Sequence, residues 1–393
     1  MKCYEKYKPS GIEWIGEIPE HWEVKRLKRF AKICNGQDHK SVFDLNGKYP
    51  IMGSGGEFGR ANTFLHPGPS VLLGRKGTID KPRYVDFPFW SVDTAYYTDI
   101  FSITNPKFFY YLCTTIKFDL YKYGSAVPSM NQEVLGQIEF ASPPLTEQFS
   151  IASYLDCKTA EIDQIIANKQ KLIILYEEEK HAVINKTVNK GLDPNVKLKP
   201  SGIEFLDEIP EHWKLNKLKW IMKIKSGDGI LAEDIKPEGT YPIYGGNGIM
   251  GFTENYNSDA DDIIIGRVGA KCGNVRLVSG RKWISDNALF ADLNLLFDKK
   301  YVTALLKSLD LNNMANQNAQ PLITGTMIKE KISVFPPINE QHLIIEHIER
   351  ESNQLDTRIE KCKNQIKLLK EYRATLINEA VTGKIKPPLN IES

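Results

Sequence analysis

Several short stretches carry residue types that can do chemistry. Pro19-Glu20 followed by Glu23-Val24-Lys25 puts carboxylates beside a lysine, the ingredients of a metal-dependent nuclease. Asn105-Pro106-Lys107-Phe108 and Ser142-Pro143-Pro144-Leu145 approach the polar-Pro-Pro-aromatic motif with which amino-methyltransferases hold a flipped base. His342, Glu346 and His347 stand near the spacing of a zinc protease, and Gly53–Gly59 is a glycine-rich stretch of the kind that cradles phosphate.

Each of these is incomplete. The nuclease spacing is too tight, and a second copy of the segment has Lys214-Leu215-Asn216 in its place. One methyltransferase-like stretch lacks the second proline, the other lacks the aromatic ring, and neither accompanies a glycine-rich cofactor loop after a strand. The histidine stretch has one residue too many, and the other copy carries Phe149, Ser153 and Tyr154 there. The glycine stretch lacks the GK[ST] of a phosphate loop. Cys3, Cys34, Cys113, Cys157, Cys272 and Cys362 form no C-x-x-C pair, which speaks against structural zinc and fits a reducing compartment. The chain reads as non-catalytic.

Binding chemistry remains. Arginine and lysine pair with guanine, and asparagine and glutamine with adenine. Such side chains lie among glycine-rich turns: Ser54, Arg60, Arg75, Lys76, Thr78, Lys81 and Arg83 in the first half, and Asn247, Arg267, Lys271, Asn274, Arg276 and Asn287 in the second. Arg75 and Arg267 sit between glycines in both halves, which favours phosphate contact or a structural role over base reading. The matched Trp22 and Trp213 point to core packing or a partner interface rather than to stacking on bases. A net charge of +2 excludes a histone-like binder and leaves room for a local basic face.

The elements that position these residues come from an internal repeat. Residues 8–36 and 199–227 are identical at 17 of 29 positions. The echo continues in Tyr49–Gly56 against Tyr241–Gly248, Val71–Thr78 against Ile263–Ala270, and Asp93-Thr94-Ala95 against Asp286-Asn287-Ala288. Between these anchors the loops diverge, so the scaffold is shared and the loops are not. Short apolar runs (Val71–Leu73, Ile263–Ile265, Trp283–Ile284, Ala288–Phe290) broken by glycine predict strands, and short helices are expected over Lys107–Asp119 and Lys300–Asn312.

Each block ends in a proline pair and a long run free of proline and glycine, with Thr146 as the expected N-cap of the first run and Glu147 in its first turn. A heptad seam runs through Ile162, Ile166, Ile173, Tyr176 and Val183, and again through Leu355, Ile359, Ile366, Leu369 and Leu376. Lys169 and Lys180 occupy core positions of the first seam and are expected where it opens toward solvent or a partner. A helix of this length reaches roughly 60 Å, and an antiparallel pair would set the blocks at opposite ends.

The fold expected is α+β: two similar mixed α/β domains separated by two long helices in an antiparallel coiled coil, with pseudo-twofold internal repetition. The divisions are 1–142, 143–190, 191–335, 336–385 and a tail at 386–393. No apolar run is long enough to span a bilayer, and the N-terminus has no apolar signal region, so the expected location is the cytoplasm.

The duplicated K-P-S-G-I-E-x-x-x-E-I-P-E-H-W start, the G-R-x-G turn and the P-P-[LI]-x-E-Q lead into each long helix resemble the specificity (S) subunit of Type I restriction-modification enzymes, over nearly the whole chain. The resemblance implies that each block is a target recognition domain and that the helices are conserved spacers. It implies a non-catalytic subunit that reads double-stranded DNA and joins two modification (M) subunits, which carry S-adenosylmethionine and methylate adenine N6. Restriction (R) subunits would add ATP- and Mg-dependent cleavage. No cofactor is expected in this chain. The alternatives are the recognition part of a fused methyltransferase/nuclease and a coiled-coil adaptor without sequence specificity.

Overall fold

The computed structural model describes residues 3–124, 127–203, 206–269, 271–294, 296–314 and 321–388. Ala270 of the repeated turn and residues 389–393 of the tail lie outside the described residues. The chain divides into two units, Met1–Lys169 with Lys363–Ser393, and Gln170–Cys362.

The first unit holds β1 (Tyr7–Pro9), β2 (Glu17–Pro19), β3 (Glu23–Arg26), β4 (Ala31–Asn35), β5 (Tyr49–Gly53), β6 (Gly56–Ala61), β7 (Ser70–Gly74), β8 (Arg83–Val85), β9 (Trp90–Ser91), β10 (Ala95–Ile100), α1 (Pro106–Thr114), α2 (Gln132–Gln137), β11 (Glu139–Ser142) and the first part of α3 (Leu145–Lys190). Its sheets run β1-β2, β4-β10-β7-β8, β11-β3 and β6-β5-β9. Within the last of these, β5 pairs antiparallel with β6 and parallel with β9. The central β7 is buried at all five positions, as expected of a Ser-Val-Leu-Leu-Gly run covered on both faces.

The second unit holds the rest of α3, then β12 (Leu198–Ile203), β13 (Leu206–Pro210), β14 (Lys214–Lys217), β15 (Met222–Ser226), β16 (Tyr241–Gly245), β17 (Gly248–Thr253), β18 (Asp262–Gly266), β19 (Val275–Val278), β20 (Trp283–Ile284), β21 (Ala288–Leu293), α4 (Lys299–Ser308), α5 (Gly325–Lys329), β22 (Ile332–Phe335) and the first part of α6 (Ile338–Val381). Its sheets, β12-β13, β15-β21-β18-β19, β14-β22 and β17-β16-β20, repeat those of the first unit strand for strand.

Within each unit the two long helices pack antiparallel. In the first unit, Asp163 meets Arg373 at 3.1 Å and the Lys169 ammonium donates to Gln365 Oε1 at 2.7 Å. In the second, the Arg358 guanidinium lies 5.9 Å from the Tyr176 ring centre and Lys180 meets Asp356 at 2.6 Å. Ile162, Ile166, Ile366 and Leu376 are buried in the first unit, as are Leu355 and Ile359 in the second. Leu369, Ile173, Tyr176 and Val183 are half-buried. Lys169 and Lys180 do not open the seam. Their long stems cross it and their ammonium groups find polar partners on the facing helix.

Three boundaries differ from expectation. Helix α3 begins at Leu145, before Thr146, because the Pro144 carbonyl already accepts from the Glu147 and Gln148 amides. Helix α1 stops at Thr114, well short of Asp119: the Thr114 and Thr115 hydroxyls bond back to the Tyr111 and Leu112 carbonyls at 2.7 and 2.8 Å and compete with the next turn. Helix α4 likewise ends at Ser308. No helix among the described residues is long and apolar enough to cross a membrane.

Candidate nucleic-acid interface

The two motifs that define the repeat meet at the start of each long helix. In the first unit, Glu147 accepts from the Trp22 indole at 3.0 Å and the Tyr4 hydroxyl at 2.8 Å, and lies 2.6 Å from His21 Nε2. In the second, Glu340 accepts from the Trp213 indole at 3.0 Å and lies 2.9 Å from His212 Nε2. The adjacent glutamine ties the helix to a shorter one. Gln148 accepts from the Asn105 amide and Gln341 from the Asp298 amide, at 2.9 and 3.0 Å, where Asn105 and Asp298 cap α1 and α4. Trp22 and Trp213 are buried, which makes them core residues and no platform for bases.

The C-terminal end of the partner long helix closes each junction. Gly383, after α6, and Gly191, after α3, have φ of +76° and +75°, and a Cβ there would stand 3.2 Å from the ring of Trp22 and of Trp213 respectively. In the first unit the Tyr7 hydroxyl also donates to the Gly383 carbonyl at 3.1 Å.

Burial works to raise the Glu147 pKa, but hydrogen bonds from His21, Tyr4 and Trp22 outweigh it and hold the carboxyl below its ordinary range. A depressed folded-state pKa means the stabilisation is complete above the ordinary value of 4.5 and is lost as pH falls through the depressed one. Glu147→Ala should therefore destabilise the first unit by about 1–3 kcal/mol at neutral pH, because it strips the acceptor from partly buried donors. Amide hydrogen exchange across a pH series checks this: the deficit relative to the parent chain should shrink below pH 4.5.

The loops hold most of the basic candidates. In the first unit the β5–β6 tip, the β7–β8 loop and the turn before β10 converge on Thr94. Its carbonyl accepts from the Arg75 and Lys76 amides at 2.9 and 3.2 Å, and its hydroxyl accepts from the Ser54 amide at 3.4 Å. Arg75 Nη1 reaches the Asp93 carbonyl at 3.5 Å, and its guanidinium lies 5.8 Å from the Tyr96 ring centre. Burial raises the Tyr96 phenol pKa, and the Arg75 charge offsets this only in part. Arg83 Nη2 donates to the Gly55 carbonyl at 2.8 Å. Thr78 is half-buried and Lys81 exposed, farther along the β7–β8 loop. Arg60 does not join the group: it is engaged on β6 by Glu57 at 3.2 Å and by the Lys48 carbonyl.

The second unit repeats the arrangement. The Asn287 carbonyl accepts from the Arg267 amide at 3.0 Å, so Asn287 takes the place of Thr94 through its backbone. Arg267 Nη1 donates to the Asp286 carbonyl and to Ser226 Oγ, both at 3.2 Å. Arg276 Nη2 donates to the Asn247 carbonyl at 3.1 Å. Lys271, Asn274 and Asn247 are exposed.

Sequence reasoning missed what clamps the arginine loops. Gly77 donates to the Pro128 carbonyl and Met130 to the Arg75 carbonyl, both at 2.9 Å; Gly269 donates to Pro321 and Ile323 to Arg267, both at 3.0 Å. The signal was present, since Pro128 and Pro321 recur at the offset of the other anchors.

Arg75, Arg83, Arg267 and Arg276 form two matched pairs, and among the described residues none is in ion-pair reach of a carboxylate. Arg26, Arg60 and Arg373 each meet one, at 3.4, 3.2 and 3.1 Å. Uncompensated positive charge held on ordered loops and at the start of edge strands suits a polyanion. Among the described residues, no group of three or more His, Cys, Asp or Glu side chains is placed to hold a metal. His342 lies 3.6 Å from Asp298, and His347 bonds Arg350 at 2.9 Å.

The profile of the Type I restriction modification DNA specificity domain matches the chain twice, at residues 19–173 and 210–368. The Type I restriction enzyme EcoprrI specificity subunit of Escherichia coli is 32% identical over 136 residues, about a third of either protein's length (34% of each). The Type I restriction enzyme MjaVIII specificity subunit of Methanocaldococcus jannaschii is 25% identical over 359 residues, covering 85% of this chain and 71% of that protein. A solved chain from work on complex assembly and conformational transition of the type I R-M system has the same fold, with a TM-score of 0.73 at 13% identity, over 94% of this chain and 99% of that one.

Proposed function

The chain belongs to the Type I restriction-modification DNA specificity family, and from that premise we propose that each unit reads one half of a bipartite DNA target through its loop cluster. The observation that carries this is the pairing of likeness and difference: matched arginines without carboxylate partners surround turns whose side chains differ between units. Shared arginines suit the phosphate backbone, which is the same at every site, and differing turns suit bases, which are not.

Catalysis then belongs to partners. Two modification subunits would bring S-adenosylmethionine for adenine N6 methylation, and restriction subunits would bring ATP and Mg²⁺ for cleavage, all in the cytoplasm where the DNA lies. Helices α3 and α6, at 46 and 44 residues, would serve as the spacer that fixes the gap between half-sites.

Mapping methylated adenines in cells that express the chain with modification subunits tests the reading. Two short motifs at a fixed separation are expected, whereas methylation without a sequence motif would overturn it. Adding one heptad to both helices should lengthen the gap by roughly three base pairs, at 1.5 Å per residue and 3.4 Å per base pair, and leave the half-sites unchanged. A constant gap would show that the helices are not the ruler.

A further inference from the structure

We infer that the two-residue hairpin tips Ser54–Gly55 and Gly246–Asn247 are specificity-determining elements, and that Arg83 and Arg276 are positioning residues that hold them; this rests on the DNA-reading role proposed above. In each unit a closing pair, Gly53 with Gly56 and Gly245 with Gly248, leaves only those two residues at the tip. An arginine from the first residues of a neighbouring sheet's edge strand, β8 or β19, donates to the carbonyl of the second tip residue, at 2.8 Å in one unit and 3.1 Å in the other. Gly56 and Gly248, with φ of +117° and +116°, let the guanidinium close on the hairpin: a Cβ would stand 3.2 Å from Arg83 Cζ and 3.3 Å from Arg276 Cζ. A charge-assisted bond to a carbonyl, packed against backbone that has no side chain, fixes where the tip points before any ligand arrives.

The latch is the same in both units and the tips are not. Ser54 offers a half-buried hydroxyl beside Gly55, whereas Gly246 offers no side chain and Asn247 an exposed carboxamide. A carboxamide pairs bidentately with adenine N6 and N7, and a hydroxyl accepts either partner. The second unit's tip therefore selects adenine at one position of its half-site, and the first unit's tip makes no such selection. The identical arginines carry no information that distinguishes the half-sites, and part of each fork is already spent on the tip carbonyl.

The test is methylation mapping with the full chain and its modification subunits. Asn247→Ala should relax one adenine of one half-site, lowering discrimination there roughly 5- to 150-fold and sparing the other half-site. Arg276→Met should relax that same position, and adding Asn247→Ala to it should relax nothing further. Arg276→Lys, which keeps the charge, covers the case in which Arg276→Met fails to assemble, and it should restore part of the discrimination. Relaxation by Arg276 variants at a base different from that of Asn247→Ala would make the arginine a reader and overturn its positioning role. A motif unchanged by Asn247→Ala would overturn the tip assignment while leaving the bipartite reading intact. Absence of any bipartite motif with the parent chain would remove both.

Discussion

Lys282→Ala is expected to destabilise the second unit by about 3–5 kcal/mol, the usual effect of breaking a buried ion pair from one side. Lys282 is fully buried. Its ammonium sits 2.9 Å from Asp262 Oδ2 and donates to the Ala260 and Gly280 carbonyls at 2.5 and 2.9 Å. Removing it leaves the Asp262 carboxylate buried at the start of β18, where, among the described residues, the Ser258 hydroxyl alone still donates to it. The first unit solves the same place without charge, with Ser70 at the start of β7 and the buried Phe89 opposite His66 as Lys282 is opposite Ser258. Importing that solution as Asp262→Ser with Lys282→Phe should recover most of the loss, because the desolvation cost of both ions disappears together. Hydrogen exchange resolved by unit is the right measurement, since a two-unit chain need not unfold as one transition. A double variant no more stable than Lys282→Ala would show that the pair fixes the local packing.

Trp22→Ala should cost the first unit about 3–5 kcal/mol, through the volume lost from a fully buried aromatic site. Trp22→Phe should cost about 1–3 kcal/mol, since it keeps most of the packing and removes a donor to Glu147. Because Trp22 and Glu147 share that bond, Trp22→Ala and Glu147→Ala should sum to less than their separate effects. Protection should fall in β1, β2 and the last turn of α6, which the Gly383 contact with Trp22 joins. Amides of the second unit should keep theirs. Equal loss in both units would mean that they unfold together.

Much of this architecture was legible in one dimension. Repetition of Lys8–Gly36 at Lys199–Gly227 announces two like units, and the apolar spacing from Ile162 to Val183 and from Leu355 to Leu376 announces the long helices. Both are local properties: a period of three and four residues, or a run of identical residues, needs no knowledge of distant chain. The E-H-W and P-P-x-x-E-Q motifs were visible as separate pieces, but nothing in their spacing said that Glu147 takes the indole of Trp22, 125 residues earlier. Lys169 and Lys180 were visible as charges in an apolar seam, and only the antiparallel register supplied Gln365 and Asp356.

The basic candidates show the division most plainly. As letters, Arg60, Arg75 and Arg83 are equal. Tertiary structure spends Arg60 on Glu57, ties Arg75 to the turn at Asp93 and sets Arg83 on a hairpin tip. Charge type is written in the residue. Whether that charge is neutralised, spent on a carbonyl or left free depends on which loops converge, and convergence is set by strand pairings between residues far apart in the chain.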